Sequence, residues 1–141
     1  MTALLDTNIL LDILSSSREG HDTALQLLQL IRRKKITGVL TTQSIIDAAY
    51  IQTQRQKVPV QDFKAVMKII CSIVKIISVS SDDIARVNES NLNDYEDAAQ
   101  ISCALDNWCD VIVSNDSGIK HYTDLDILSP QELIDRCLNQ A

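Results

Sequence analysis

Short apolar runs alternate with longer helical segments along this 141-residue chain. Four runs, 3–6, 36–41, 75–79 and 110–114, are predicted to be strands, and 125–128 is a short fifth. The segments between them place apolar residues three and four positions apart, as an amphipathic helix does; one example is the series Ala24, Leu27, Leu28 and Ile31. Strands that alternate with helices form a parallel sheet covered on both faces. The sequence therefore predicts an α/β fold.

The length and composition predict a single domain over residues 1–141. A chain of this size buries a substantial core without dividing. Three glycines and two prolines leave little room for long loops, and no repeat or linker separates the elements. There is no signal-peptide pattern and no apolar stretch long enough to span a bilayer. A cytoplasmic protein with no membrane partner is the expectation.

The net charge of −6 excludes one class of function. A general nucleic-acid coat needs many lysines and arginines, because its affinity comes from neutralising phosphates. Two divalent cations held by four carboxylates would reduce the net charge to about −2. The charge is therefore compatible with metal-assisted cleavage of a nucleic acid.

Aspartates follow two of the predicted strands. Asp6 and Asp116 stand at strand ends, and ligands of open α/β sheets bind just beyond the carboxyl ends of the strands. Carboxylates gathered there repel one another, so a bound cation would explain them. Oxygen ligands without histidine or thiolate favour Mg²⁺ or Mn²⁺. Helix capping by Asp6 or Thr7, and a turn after Asp116, are the simpler alternatives.

Further acids occupy predicted helices. Asp97 shares a stripe with Ile101 and is expected to lean toward the sheet, with Asp94 as the second candidate ligand and Glu96 facing outward. Stabilisation of the helix dipole is the alternative for this turn. Asp47 lies on a polar sector of its helix, which a solvated surface would also explain.

Several blocks in fixed order resemble the PIN-domain nucleases. They are ALLDTNILLD at 3–12, REGH at 18–21, TQSIIDAAY at 42–50, DYEDAAQ at 94–100, VIVSND at 111–116 and SPQEL at 129–133. The opening block alone is a weak signal, but together the blocks cover nearly the whole chain. The resemblance implies a three-layer α/β/α sandwich with a central parallel sheet. It also implies hydrolysis of RNA phosphodiester bonds at an acidic cluster that binds Mg²⁺ or Mn²⁺.

The resemblance also assigns roles by position. The catalytic acids it implies are Asp6, Asp47, Asp97 and Asp116, and of these Asp6, Asp97 and Asp116 are the expected metal ligands, beside Asp94 from the helix pattern above. Supporting polar positions are Asn8 and Ser114. Asp47 stands where the family more often has glutamate, so it would reach the metal directly or through one water. Arg18, in the loop after the first helix, is the expected contact to a substrate phosphate.

Bacterial single-domain members of this size resemble the VapC-type toxins of toxin–antitoxin pairs. The resemblance therefore implies an endoribonuclease toxin with an RNA substrate, a small antitoxin partner and a homodimeric assembly. The alternatives are a solitary RNA-processing nuclease and a catalytically silent module that binds RNA or protein. A receiver-like domain is disfavoured because the second and third strands end without acids, and Asn8 excludes hydrolases that begin with a D-x-D motif.

Overall fold

The computed structural model describes residues 1–115 and 125–139. Five strands lie in these ranges: β1 (Thr2–Leu5), β2 (Thr37–Thr41), β3 (Lys75–Ile77), β4 (Val111–Val113) and β5 (Asp126–Leu128). The α-helices in the same ranges are α1 (Thr7–Leu14), α2 (His21–Arg32), α3 (Thr42–Tyr50), α4 (Val60–Cys71), α5 (Ser81–Glu89), α6 (Tyr95–Asp106) and α7 (Pro130–Asn139). A π-helical turn (Ile51–Arg55) follows α3. None of the described helices has the length and apolar character needed to cross a membrane.

The strands form one parallel sheet in the order β3-β2-β1-β4-β5. The chain runs outward from β1 through β2 to β3 and then returns to place β4 on the other side of β1. The direction of winding thus reverses between β1 and β4. A crevice opens at such a reversal, beyond the carboxyl ends of the two strands. The residues that follow those strands, Asp6 and Ser114, lie at this point.

Helices cover both faces of the sheet. Alternate residues of β1 point to opposite sides, so Ala3 and Leu5 join the core beneath α1, α2, α4 and α7, while Leu4 joins the core beneath α6. Ile101 of α6 packs into this second core together with Ile112 of β4. The three-layer α/β/α sandwich with a central parallel sheet is confirmed.

Local capping signals set several helix boundaries. Ser80 and Asp83 form a reciprocal capping box at α5, and Asp94 caps α6. At the other end of a helix, α3 leaves α geometry after Tyr50. The N–H of Gln56 donates to the carbonyl oxygen of Ile51 at 3.1 Å, which closes a wider turn over residues five apart.

Candidate active site at the carboxyl ends of β1 and β4

Asp6 is the central carboxylate of the crevice and is 8% exposed. Its Oδ1 accepts hydrogen bonds from the Thr7 N–H at 2.7 Å and from Gln100 Nε2 at 3.1 Å. Its Oδ2 accepts from Ser114 Oγ at 3.1 Å. Asp6 therefore caps α1, as the simpler interpretation predicted, but donors from α6 and the end of β4 also converge on it. Helix capping alone does not require those two donors.

A cavity of about 350 Å³ opens beside Asp6. Its described lining consists of Asp6, Thr7, Asn8, Leu11, Asp47, Tyr50, Ile51, Arg55 and Glu96. Glu96 is exposed, as expected, but its position in this lining was not predicted. Burial raises the pKa of Glu96, and the nearby carboxylates of Asp6, Asp47 and Asp94 raise it further. These acids thus lie close enough to repel one another, the condition that a bound cation relieves.

The structure brings some of the predicted acids to this cavity. Asp47 lies on its wall, half-buried, and accepts a hydrogen bond from Gln43 Nε2 at 2.9 Å. Asp94 is exposed, and its Oδ1 accepts from the N–H of the half-buried Asp97 at 3.0 Å. The described lining includes neither Asp94 nor Asp97. Asp116 lies outside the described residues.

The oxygen atoms of the site fit a hard divalent cation. In residues 1–115 and 125–139, no three acidic, histidine or cysteine side chains form a ready-made metal site. Mg²⁺, however, is usually held by one or two carboxylates and keeps several waters. Gln100 adds a second observation, because its buried Oε1 has no hydrogen-bond partner among the described residues. A buried acceptor beside Asp6 thus remains available to a donor that is not part of the described chain, such as an ordered water.

A second cavity, of about 810 Å³, shares Asn8 with the first. The buried Asp12 on its wall accepts hydrogen bonds from Arg18 Nε at 2.7 Å and from Asn115 Nδ2 at 3.2 Å. Gly20 passes so close to the Asp12 carboxylate that an added Cβ would collide with it. Arg18, the predicted substrate contact, therefore lines a cavity next to the acids and is held in place by a buried partner.

Comparisons with known proteins agree on one family. The PIN domain family profile matches residues 2–118. The chain is 25% identical over 139 residues to Ribonuclease VapC1 of Aquifex aeolicus (strain VF5), covering 94% of this chain and 92% of that protein.

Three solved structures share the fold. VapBC2 from Rickettsia felis, bound to a DNA fragment from its promoter, matches with a TM-score of 0.69 and 17% identity, covering 92% of this chain and 98% of that chain. Mycobacterium tuberculosis VapC20, a sarcin-ricin loop cleaving toxin, matches with a TM-score of 0.66 and 13% identity, covering 84% of this chain and 93% of that chain. PAE2754 from Pyrobaculum aerophilum matches with a TM-score of 0.67 and 17% identity, covering 99% of this chain and 91% of that chain.

Proposed function

The chain belongs to the PIN domain family, and we propose that it is a divalent-metal-dependent endoribonuclease, a hydrolase of RNA phosphodiester bonds. The observation that carries the proposal is the cavity at the reversal between β1 and β4. There the buried Asp6 faces Asp47 and Glu96, and no positive side chain among the described residues pairs with Asp6. A relative over almost the whole chain is named as a ribonuclease, which supports the same activity.

Asp6 and Asp47 are the described residues best placed to hold Mg²⁺ or Mn²⁺, with Glu96 on the same cavity wall. Asp97 and Asp116 complete the set of acids that the family resemblance implies, and Asp94 is a further candidate ligand from its position at the start of α6. When bound, the ion supplies positive charge for the phosphoryl oxygens and makes a coordinated water more acidic.

Side chains of the protein orient the carboxylate of Asp6. Gln100 and Ser114 hold the two carboxylate oxygens of Asp6, which fixes the direction of its lone pairs before any ligand arrives. Such preorganisation is where a protein adds to the chemistry of an ion, because no reorganisation is then needed during the reaction. Asn8 lies where the acidic cavity meets the second cavity and supplies a neutral polar contact there. Arg18, held by Asp12, supplies the contact to a substrate phosphate.

We propose further that the protein acts as the toxin of a toxin–antitoxin pair. Two structural neighbours carry VapBC or VapC names, and one is a toxin that cleaves the sarcin-ricin loop. On this proposal the chain works in the cytoplasm as a homodimer and is silenced by a small antitoxin. An adjacent small gene whose product abolishes cleavage would support the toxin role.

The test is cleavage of a mixed pool of structured and single-stranded RNAs with Mn²⁺ or Mg²⁺, beside EDTA. Asp6→Asn and Asp97→Asn proteins serve as site variants, and Asp83→Asn, which changes a buried aspartate elsewhere, is the matched control. Metal-dependent cutting that the two site variants lose and the control retains supports the proposal. Cutting that survives EDTA, or that Asp6→Asn retains at the full rate, contradicts it.

A further inference from the structure

We propose that Tyr50 and Arg55 form a nucleobase subsite beside the acidic cavity, where a base of single-stranded RNA stacks on the Tyr50 ring. The proposal rests on the nuclease function argued above and names the part of the substrate that the neighbouring surface would recognise. Both residues line the cavity that contains Asp6 and Asp47.

The π-helical turn creates the subsite. In an α-helix, residues five apart point about 140° away from each other around the axis. The turn over Ile51–Arg55 adds a residue, so its hydrogen bonds join positions five apart, and such positions lie nearly above one another. The Arg55 guanidinium carbon consequently lies 5.7 Å from the centre of the Tyr50 ring, within the range of a cation–π contact. Turns of this kind are frequent at functional sites.

The Tyr50 ring is open to a ligand. Tyr50 is 57% exposed although it borders a cavity, and Arg55 is exposed beside it. Tyr50 follows Asp47 by three residues, so the two share a face of α3 about 4.5 Å apart along the axis. A phosphate held at the acids would thus have the base of a neighbouring nucleotide within reach of the ring.

The charges favour a nucleic acid as the occupant. Arg55 is the only positively charged side chain in the described lining of the acidic cavity, and it has no carboxylate partner in the part of the chain that the structure describes. Arg18, across Asn8, is instead tied to Asp12. One unpaired guanidinium above an exposed aromatic ring suits a phosphate next to a stacked base, the combination by which proteins bind single strands.

The two cavities suggest a direction for the strand. They meet at Asn8, so a chain of nucleotides crossing the acids has Tyr50 and Arg55 on one side and Arg18 on the other. The Tyr50 side offers an aromatic face, whereas the lining described around Arg18 contains no aromatic residue. Preference for a base should therefore arise on the Tyr50 side, while Arg18 adds affinity that does not depend on sequence.

The test is a double-mutant cycle between the ring and a base. The probe is a short labelled oligoribonucleotide, compared with versions that carry an abasic nucleotide at each position in turn. Binding is measured by fluorescence anisotropy with Mg²⁺ in the Asp6→Asn background, which prevents cleavage. Tyr50→Ala removes the ring and Tyr50→Phe keeps it. Trp108→Ala, at an exposed aromatic residue before β4 and hence at the other end of the strands, is the control.

We expect Tyr50→Ala to weaken binding roughly 5- to 150-fold, the cost of losing one base–aromatic stack. Tyr50→Phe and Trp108→Ala should leave affinity within about twofold of the parent. One abasic position should cost the parent a similar factor and cost the Tyr50→Ala protein almost nothing, because the stack is already absent.

Independent, multiplying effects of Tyr50→Ala and every abasic substitution would overturn the subsite. Retained RNA affinity in Tyr50→Ala would also overturn it, because the ring would then contribute nothing to RNA binding. The two proposals fail separately. If the wild type cleaves RNA but Tyr50→Ala and the abasic positions show no coupling, only the subsite proposal is refuted. If they show coupling but the wild type does not cleave RNA, only the nuclease proposal is refuted.

Discussion

Two buried aspartates of this chain, Asp6 and Asp83, differ in the partners that surround their carboxylates. Asp83, in the first turn of α5, is 1% exposed and accepts hydrogen bonds from Ser80 and from Ser102 Oγ of α6, the latter at 2.6 Å. Arg86 Nη1 lies 3.3 Å from it and also pairs with Asp106 at 2.6 Å. Asp6 has neutral donors and carboxylate neighbours, but no positive partner among the described residues.

The pKa values follow the same division. Burial opposes ionisation of Asp83, but hydrogen bonds from Ser102 and Ser80 outweigh it and lower the pKa of this carboxyl below its ordinary value. At the other site, burial and the carboxylates of Asp6 and Asp47 raise the pKa of Glu96. Arg86 supplies a positive partner for Asp83, whereas no positive side chain among the described residues forms an ion pair with Asp6. The first arrangement is structural, and the second has the character of a site.

The largest expected effect comes from Asp6→Asn. This change should lower metal-dependent RNA cleavage about 10³-fold, because on the proposed function it removes a carboxylate that holds the ion. Without metal, the free energy of unfolding should stay the same or rise, since one negative charge leaves a repelling group. Initial cleavage rates and urea unfolding of the same protein preparation measure the two quantities. A marked loss of metal-free stability would show that Asp6 is structural, as Asp83 is.

Asp83→Asn should give the opposite result. It should lower the free energy of unfolding by about 2 kcal/mol, because the capping box and the bond from Ser102 lose their charged acceptor. The cleavage rate of the folded protein should not change.

The pH dependence of this loss has a defined sign. The folded-state pKa of Asp83 lies below its ordinary value of 3.8, so the carboxylate contributes stability above about pH 4 and loses it as the pH falls through the folded-state value. The gap in unfolding free energy between wild type and Asp83→Asn should therefore be full at neutral pH and narrow below pH 4. A gap that widens in acid would contradict the assignment of this cluster.

The smallest expected effect is that of Arg18→Ala. The change should weaken RNA binding for all sequences alike and reduce the slope of log affinity against log salt by about 1, since on the proposed function one phosphate contact is lost. Anisotropy titrations at several salt concentrations measure the slope. Arg33→Ala, on the exposed end of α2, is the control and should leave the slope unchanged. Equal effects of the two changes would mean that Arg18 acts only through overall charge.

Sequence reasoning succeeded where the signal is local. The apolar runs fix the strands, and pairs such as Ser80 with Asp83 and Ser129 with Glu132 fix helix starts, because both partners lie within one turn. It failed where a contact depends on tertiary placement. Gln100 donates a hydrogen bond to Asp6 although the two residues are 94 positions apart in the sequence, and no sequence periodicity indicates this pairing.

The π-helical turn shows a second limit. A helical wheel at 100° per residue places Tyr50 and Arg55 about 140° apart. One inserted residue in the turn brings them together. The same wheel placed Glu96 outward, but the crevice reaches the start of α6, so an exposed residue there still borders the site. Helical periodicity predicts which face is apolar, not which exposed residue meets a cavity.

On the proposed function, the acids around Asp6 bind a divalent cation. Isothermal titration of Mn²⁺ into wild type, Asp6→Asn and Asp83→Asn proteins tests it most directly. We predict saturable binding by wild type and Asp83→Asn, and at least tenfold weaker binding by Asp6→Asn. Absence of binding by the wild type, or equal affinity in Asp6→Asn, would contradict the account.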